Sequence, residues 1–341
     1  MAIDREQQPE FPQGRSAKSL GFKRINYTKK NYRATVTIQR PKVHNCLDFL
    51  TLREMARAFE DASWDDKVQV LVLTGAGRDA FSTGADLREQ QTRFLKRPHD
   101  YWKWMGAFID AHDRLRKIGK PTVARVNGMA VGGGNEFQMA CDLSIAADHA
   151  IFRHVGVARG SVPAGGATQW LPLLIGDRRA REMLFLCEDI SAAKALEWGL
   201  INQVVPEAKL DEAVDAMCEK LLHRLPECFR YAKQQVNFWR DFSWSMTVEH
   251  ARDWLSLHSG QHETAEGIRA FNEKRPIDYA SLLARRERPD YGEYAAVADL
   301  ARPEPGPHAH KLGMKAPRHK AVKTAKPARK PARAAGGRKP R

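Results

Sequence analysis

The sequence predicts an α/β fold, and three features of the 341-residue chain carry that reading. Two strand-length apolar runs, VQVLVLTG from Val68 and PTVARVN from Pro121, are each followed by a turn rich in small residues. Segments whose apolar residues recur at helical spacing lie between them, and such alternation is the pattern of an α/β core. From Leu210 onward the strand signal stops and the spacing is helical.

Taken in order, residues 1–20 are polar and mixed in charge and are expected to form a flexible N-terminus. Phe22–Tyr27 and Arg33–Gln39 read as a hairpin-like pair of strands. A helix begins near Asp48, with Leu52, Met55, Ala56 and Phe59 on one face. The strand Val68–Leu73, a long amphipathic helix around Tyr101–Ile118, the strand Pro121–Val126 and a helix opened by Gly132–Gly134 follow. The helical part holds LDEAVDAMCEKLLHRL from Leu210, a helix after Pro226, one around Val248–Leu257 and one over Thr264–Phe271. The expected boundaries are therefore 21–209 for the α/β core and 210–300 for the helical region, with no internal repeat.

Residues 301–341 hold thirteen Lys and Arg against one acid, Glu304, so +12 of the formal +15 net charge lies there. With sequence such as HKAVKTAKPARKPARAAGGRKPR this tail has too little apolar surface to offset the entropy of ordering, and a disordered appendage is expected. Its cations should attract polyanions, so weak nucleic-acid binding by residues 302–341 is expected. Five cysteines without a CxxC pair suit free thiols in a reducing compartment. No apolar stretch reaches membrane-spanning length, and a cytoplasmic protein without membrane insertion is expected.

The chemistry is concentrated in two runs, FSTGADLRE (Phe81–Glu89) and VNGMAVGGGNEFQMACD (Val126–Asp142). Each follows a strand and carries small residues where backbone can approach a ligand closely. A nucleotide site is excluded because no GK[ST] follows the glycines and the GxGxxG spacing is absent. Alone, the triple glycine reads better as a helix start packed tightly on a strand. Glu136 reads either as a general base in an apolar site or as a first-turn helix acid favoured by the macrodipole. Asp86 and Asp142 read as turn or capping residues. Cys141, His149 and His154 lack a zinc spacing, and no metal is expected.

In their order and content the two runs closely resemble the crotonase (enoyl-CoA hydratase/isomerase) superfamily, over about Phe22 to Asp278. The resemblance implies repeated ββα turns forming a spiral core, a C-terminal helical trimerisation region, and an acyl-CoA substrate. A homotrimer or dimer of trimers follows from it, with no permanently bound cofactor, since coenzyme A arrives as part of the substrate. It places two peptide N–H donors for a thioester oxyanion at Ala85 and Gly133, and the first catalytic glutamate at Glu136. It implies coenzyme contacts at Lys42 and Asn45 in RPKVHNCLD, at Asp86 and Arg88 after FSTGA, and at Phe271 and Lys274 in AFNEKR.

The second hydratase glutamate should lie in FRHVGVARGSVP (Phe152–Pro163), where its position is occupied by Gly156. The two-carboxylate clamp of simple hydratases is thus incomplete. Runs such as RGSVPAGGATQWLPLLIG (Arg159–Gly176), KLLHRLPECF (Lys220–Phe229) and IRAFNEKRPIDY (Ile268–Tyr279) resemble the 6-oxocyclohex-1-ene-1-carbonyl-CoA hydrolase branch. That branch hydrates a ring alkene and opens the ring by water attack on the ketone, and His154 is a candidate to polarise that ketone. Homologues there carry a long insertion after the strand at Ile201–Val205, whereas this chain passes directly to PEAKLDE. A general enoyl-CoA hydratase or isomerase, and a polyanion-binding protein acting through its tail, are the competing readings.

Overall fold

A computed structural model describes residues 13–286 except 164. The expected basic tail at 301–341 and the first twelve residues lie outside the described residues. The chain enters through a 3₁₀ turn, Ala17–Leu20, with Leu20 buried and the Arg15 N–H bonded to Asp61, so the end of the segment expected to be flexible is tied to the fold.

Strands β1 (Ile25–Lys30) and β2 (Arg33–Ile38) form an antiparallel hairpin. Its two turn residues, Asn31 and Tyr32, both take positive φ, the geometry that matches the strand twist. Helix α1 (Phe49–Trp64) starts at Asp48, whose carboxylate accepts the Thr51 N–H and hydroxyl, and buries Leu52, Met55, Ala56 and Phe59. Then follow β3 (Val70–Gly75), β4 (Ala80–Ser82), the single turn α2 (Leu87–Glu89), a π-helical segment Gln90–Phe94, and α3 (Pro98–Arg116). The next turn of the pattern is β5 (Thr122–Val126), β6 (Met129–Val131) and α4 (Gly133–Ala140), and the third is β7 (Leu143–Ala147), β8 (Ile151–Arg153) and α5 (Ala167–Ile175).

The first strand of each pair joins a six-stranded sheet of order β1-β2-β3-β5-β7-β10, parallel after the first hairpin. The second strand joins a four-stranded sheet, β4-β6-β8-β9. Here α6 (Asp177–Leu186), β9 (Ile190–Ser191), α7 (Ala192–Glu197) and β10 (Gln203–Val205) complete the edges. The result is the expected spiral of ββα units. Of the short strands of the second sheet, which the sequence reading did not separate, β6 sits inside the glycine turn itself.

Helices α8 (Leu210–Leu222), α9 (Pro226–Val236), α10 (Phe238–His258), α11 (His262–Asn272) and α12 (Tyr279–Arg286) make up the helical region. Position 210 marks a change of pattern rather than of body. Leu210, Val214 and Cys218 of α8 pack on Val70, Val72, Val123 and Ile145 of the large sheet, while Trp244, Val248 and Leu255 of α10 enter the main core. Among the described residues no helix is long and apolar enough to cross a membrane.

Candidate active site

The two sequence runs meet backbone to backbone. Gly84 has φ 79°, and a Cβ built there would lie 2.7 Å from the Gly133 nitrogen, so only glycine lets the turns approach. The Leu47 N–H donates to the Gly84 carbonyl and the Asp86 N–H to the Leu47 carbonyl, which makes Leu47 and Ala85 a parallel bridge pair. In that pattern the Ala85 N–H points away from Leu47, and it has no backbone partner among the described residues. Gly133 is the first residue of α4, so its N–H has no intrahelical acceptor. Gly134 presses the helix onto β4, since a Cβ there would lie 2.0 Å from the Ser82 carbonyl oxygen.

Ala85, Gly132, Gly133 and Glu136 line one cavity of about 130 Å³, walled by Phe94, Tyr101, Trp104 and Phe108. Glu136 is buried, and its Oε1 accepts the Gly165 N–H at 2.8 Å and the Ala167 N–H at 3.3 Å. Burial pushes its pKa up to about 7 against the pull of those two peptide donors, which hold it lower than burial alone would. Among the described lining residues Glu136 is the single carboxylate, and position 156 contributes a glycine. A buried acid with one engaged oxygen, titrating near neutrality beside two free peptide donors, can exchange protons with a ligand held by those donors.

His154 reaches the same wall but is committed elsewhere. Its Nε2 meets the Asn135 amide nitrogen at 3.0 Å, and its Nδ1 is closed off from solvent without a partner. Burial pushes its pKa down to about 3, so the ring is neutral at working pH. The expectation that His154 polarises a substrate ketone is therefore not supported by where its nitrogens lie.

The expected coenzyme contacts divide into two groups. Lys42, Arg88 and Lys274 are exposed, and Phe271 is half exposed beneath the Arg159 guanidinium, 5.1 Å from its ring. The Thr83 N–H bonds to the His44 carbonyl, which sets the Pro41–Val43 turn carrying Lys42 beside the Ala85 turn. The end of α11 is tied to α2 and the π-helical segment through the Asn272 amide, which donates to Leu87 and Gln91. Asn45 differs from the expectation. It is fully buried, and its amide tethers Ala76 and Ala80 while accepting the Arg40 N–H, so its side chain is spent on the fold. Asp86 caps α2 and pairs with Arg40 at 2.8 Å, as a turn residue does.

Two polar residues of the wall were not visible in the sequence. Gln90 and Tyr101 are buried, and the Gln90 Nε2 donates to the Tyr101 hydroxyl at 3.2 Å. In sequence they are a polar residue after a turn and one aromatic on an amphipathic helix, with no spacing to join them.

Residues 28–282 match the family model described as enoyl-CoA hydratase/isomerase. The 6-oxocyclohex-1-ene-1-carbonyl-CoA hydrolase of Geobacter metallireducens is 32% identical over 306 residues, spanning 74% of this chain and 80% of that protein. An enoyl-CoA hydratase structure from Mycobacterium avium subsp. paratuberculosis K-10 matches with a TM-score of 0.68 at 28% identity, covering 75% of this chain and 98% of that chain. One from Bacillus anthracis matches with a TM-score of 0.61 at 29% identity, covering 75% and 98%.

Proposed function

Because the chain belongs to the enoyl-CoA hydratase/isomerase family, we propose that this acyl-CoA enzyme adds water to a cyclic oxo-enoyl-CoA thioester and then opens the ring, the chemistry named for its Geobacter relative. The observation that carries the reading is one cavity lined by Ala85, Gly133 and a single carboxylate, Glu136, with glycine at position 156.

The thioester oxygen lies between the Ala85 and Gly133 N–H groups. Such preset donors stabilise charge as it arrives, each contributing about 3 kcal/mol. Ionised Glu136 takes a proton from water as the water oxygen bonds to the ring alkene, and returns that proton to the α-carbon of the resulting thioester enolate. A second water then adds to the ring ketone, again giving its proton to Glu136. Collapse of that adduct breaks the bond to the thioester α-carbon. The electron pair passes into the same enolate, and Glu136 returns the proton to carbon, leaving a ring-opened hydroxy-acid thioester. The exposed cations Lys42, Arg88 and Lys274 meet the coenzyme phosphates, and the Phe271 ring covers its adenine. No permanently bound cofactor is needed.

Purified protein incubated with a panel of acyl-CoA thioesters and read by mass spectrometry tests this. The cyclic oxo-enoyl thioester should gain two waters. Turnover confined to linear enoyl thioesters overturns the reading in favour of a general enoyl-CoA hydratase or isomerase, the former being the activity named for the solved relatives from Mycobacterium avium and Bacillus anthracis.

We also propose self-association as a trimer or dimer of trimers. On α10 the residues Trp239, Phe242 and Met246 form a stripe at helical spacing and are 66%, 55% and 69% exposed. Large apolar side chains aligned in this way mark a contact surface.

A further inference from the structure

With His154 committed to Asn135, the ring oxygen of the proposed substrate needs another donor, and the cavity's own hydrogen bonds single one out. The Thr83 hydroxyl donates to the His44 carbonyl, Ser259 to Ser256 and Thr264 to Gly160. His258 Nδ1 meets the Trp254 carbonyl. These lining groups are satisfied by the backbone. Tyr101 is different. Its oxygen accepts from Gln90 at 3.2 Å, and among the described residues no hydrogen bond takes its own proton. A phenol oxygen carries one proton beside its lone pairs, so a Tyr101 hydroxyl that accepts from Gln90 still has that proton to give to a ligand in the cavity.

The ring is also held in place. It stacks on Phe94 with centroids 5.1 Å apart and planes 3° from parallel, and packs against Trp104. Gln90 opens the π-helical segment Gln90–Phe94, which α2 joins to the Ala85 turn, and such segments recur at functional sites. Tyr101 lines the same cavity as Ala85, Gly133 and Glu136, and Glu136 is close enough to act on it electrostatically. Burial pushes the Tyr101 hydroxyl up to about 12, which keeps it a donor through the working pH range.

We propose that Tyr101 is a catalytic residue whose hydroxyl donates to the oxo group of the substrate ring, with Gln90 as the positioning residue that aims its proton. The role follows the charge. When water adds to the ring ketone, that oxygen becomes an oxyanion, and the Tyr101 O–H stabilises it until collapse returns it to a carbonyl and breaks the carbon–carbon bond. No proton leaves Tyr101, so the proton balance stays with Glu136. The same contact selects the substrate, because a site built to hydrogen-bond an oxygen rejects the analogue that lacks it. This inference rests on the proposed ring-opening function.

The test uses the full-length protein in the Glu136→Gln background, so that ligand is not consumed. Calorimetry compares two thioesters differing only in the ring oxygen, 6-oxocyclohex-1-ene-1-carbonyl-CoA and cyclohex-1-ene-1-carbonyl-CoA. The parent is expected to bind the oxo form at least tenfold more tightly. Tyr101→Phe, which keeps the ring stack, should erase that preference. Gln90→Leu should reduce it at unchanged affinity for the deoxy form, an effect that a loss of packing would not produce. A preference that survives Tyr101→Phe overturns the assignment of Tyr101 and leaves the ring-opening function standing. Equal binding of both thioesters by the parent also overturns it, and turnover of the oxo thioester by the wild-type enzyme then decides whether the proposed function falls with it.

Discussion

Replacing Glu136 with Gln should disable the enzyme and stabilise it at the same time. Glu136 is only 5% exposed, and burial lifts its pKa from the ordinary 4.5 to about 7. Below pH 4.5 the carboxyl is protonated in both folded and unfolded chains, and burying it carries no charge penalty. Between 4.5 and 7 the folded state retains a proton that the unfolded state has released, so stability falls as pH rises and levels off above 7. At 1.36 kcal/mol for each pH unit, the lift corresponds to about 3 kcal/mol lost by pH 8. Glutamine keeps an oxygen for the Gly165 and Ala167 N–H groups but never ionises. Urea unfolding at pH 4.5 and pH 8 should therefore show the variant matching wild type at the lower pH and exceeding it by up to about 3 kcal/mol at the higher. Turnover should drop by roughly a hundredfold or more, the size of a lost general base. Wild-type kcat should rise through about pH 7 as the carboxylate forms, and His154, with its pKa near 3, should add no second inflection near neutrality. Equal pH dependence of stability in the two proteins would refute the reasoning, as would near-normal turnover by the variant.

Gly133→Pro removes the peptide donor and should lower turnover further than Glu136→Gln does, while the protein still folds because Pro is tolerated at the first helical position; retained activity would remove Gly133 from the oxyanion site. Trp239→Glu combined with Met246→Lys places charge on the apolar stripe of α10 and should shift light scattering from the assembled mass to that of single chains; an unchanged mass would mean that this stripe is not the contact. Deleting residues 302–341 removes thirteen cations and should abolish retention on heparin or DNA at low salt while leaving thioester turnover nearly unchanged. A truncated protein that folds but loses catalysis would show that the tail serves the active site.

What the sequence made legible is what contiguous residues encode. Helix α1 was readable because its cap and its apolar face follow each other directly from Asp48 to Phe59. Strand β3 was readable because it is buried on both faces and opens on the apolar run VLVL from Val70, and β5 because Val123, Ala124 and Val126 are buried with only Arg125 partly exposed among them. Strands β4, β6 and β8, three residues each, are too short to show a period, and β6 lies within the very turn that carries the glycines. The site divides in the same way. Gly133 and Glu136 share one helical turn, so their relation is fixed by local geometry wherever that turn folds. Asn45 shows the converse, since a polar residue in a loop looks like a ligand contact until the fold brings Ala76 and Ala80 onto its amide. Tyr101 depends on Gln90, 11 residues before it, at the start of a π-helical turn that no simple periodicity announces. Its hydroxyl on the buried face of α3 is indistinguishable in sequence from an ordinary core tyrosine. Only the cavity it shares with Ala85, Gly133 and Glu136 and the Gln90 amide on its oxygen separate the two, and both exist only once those segments have come together.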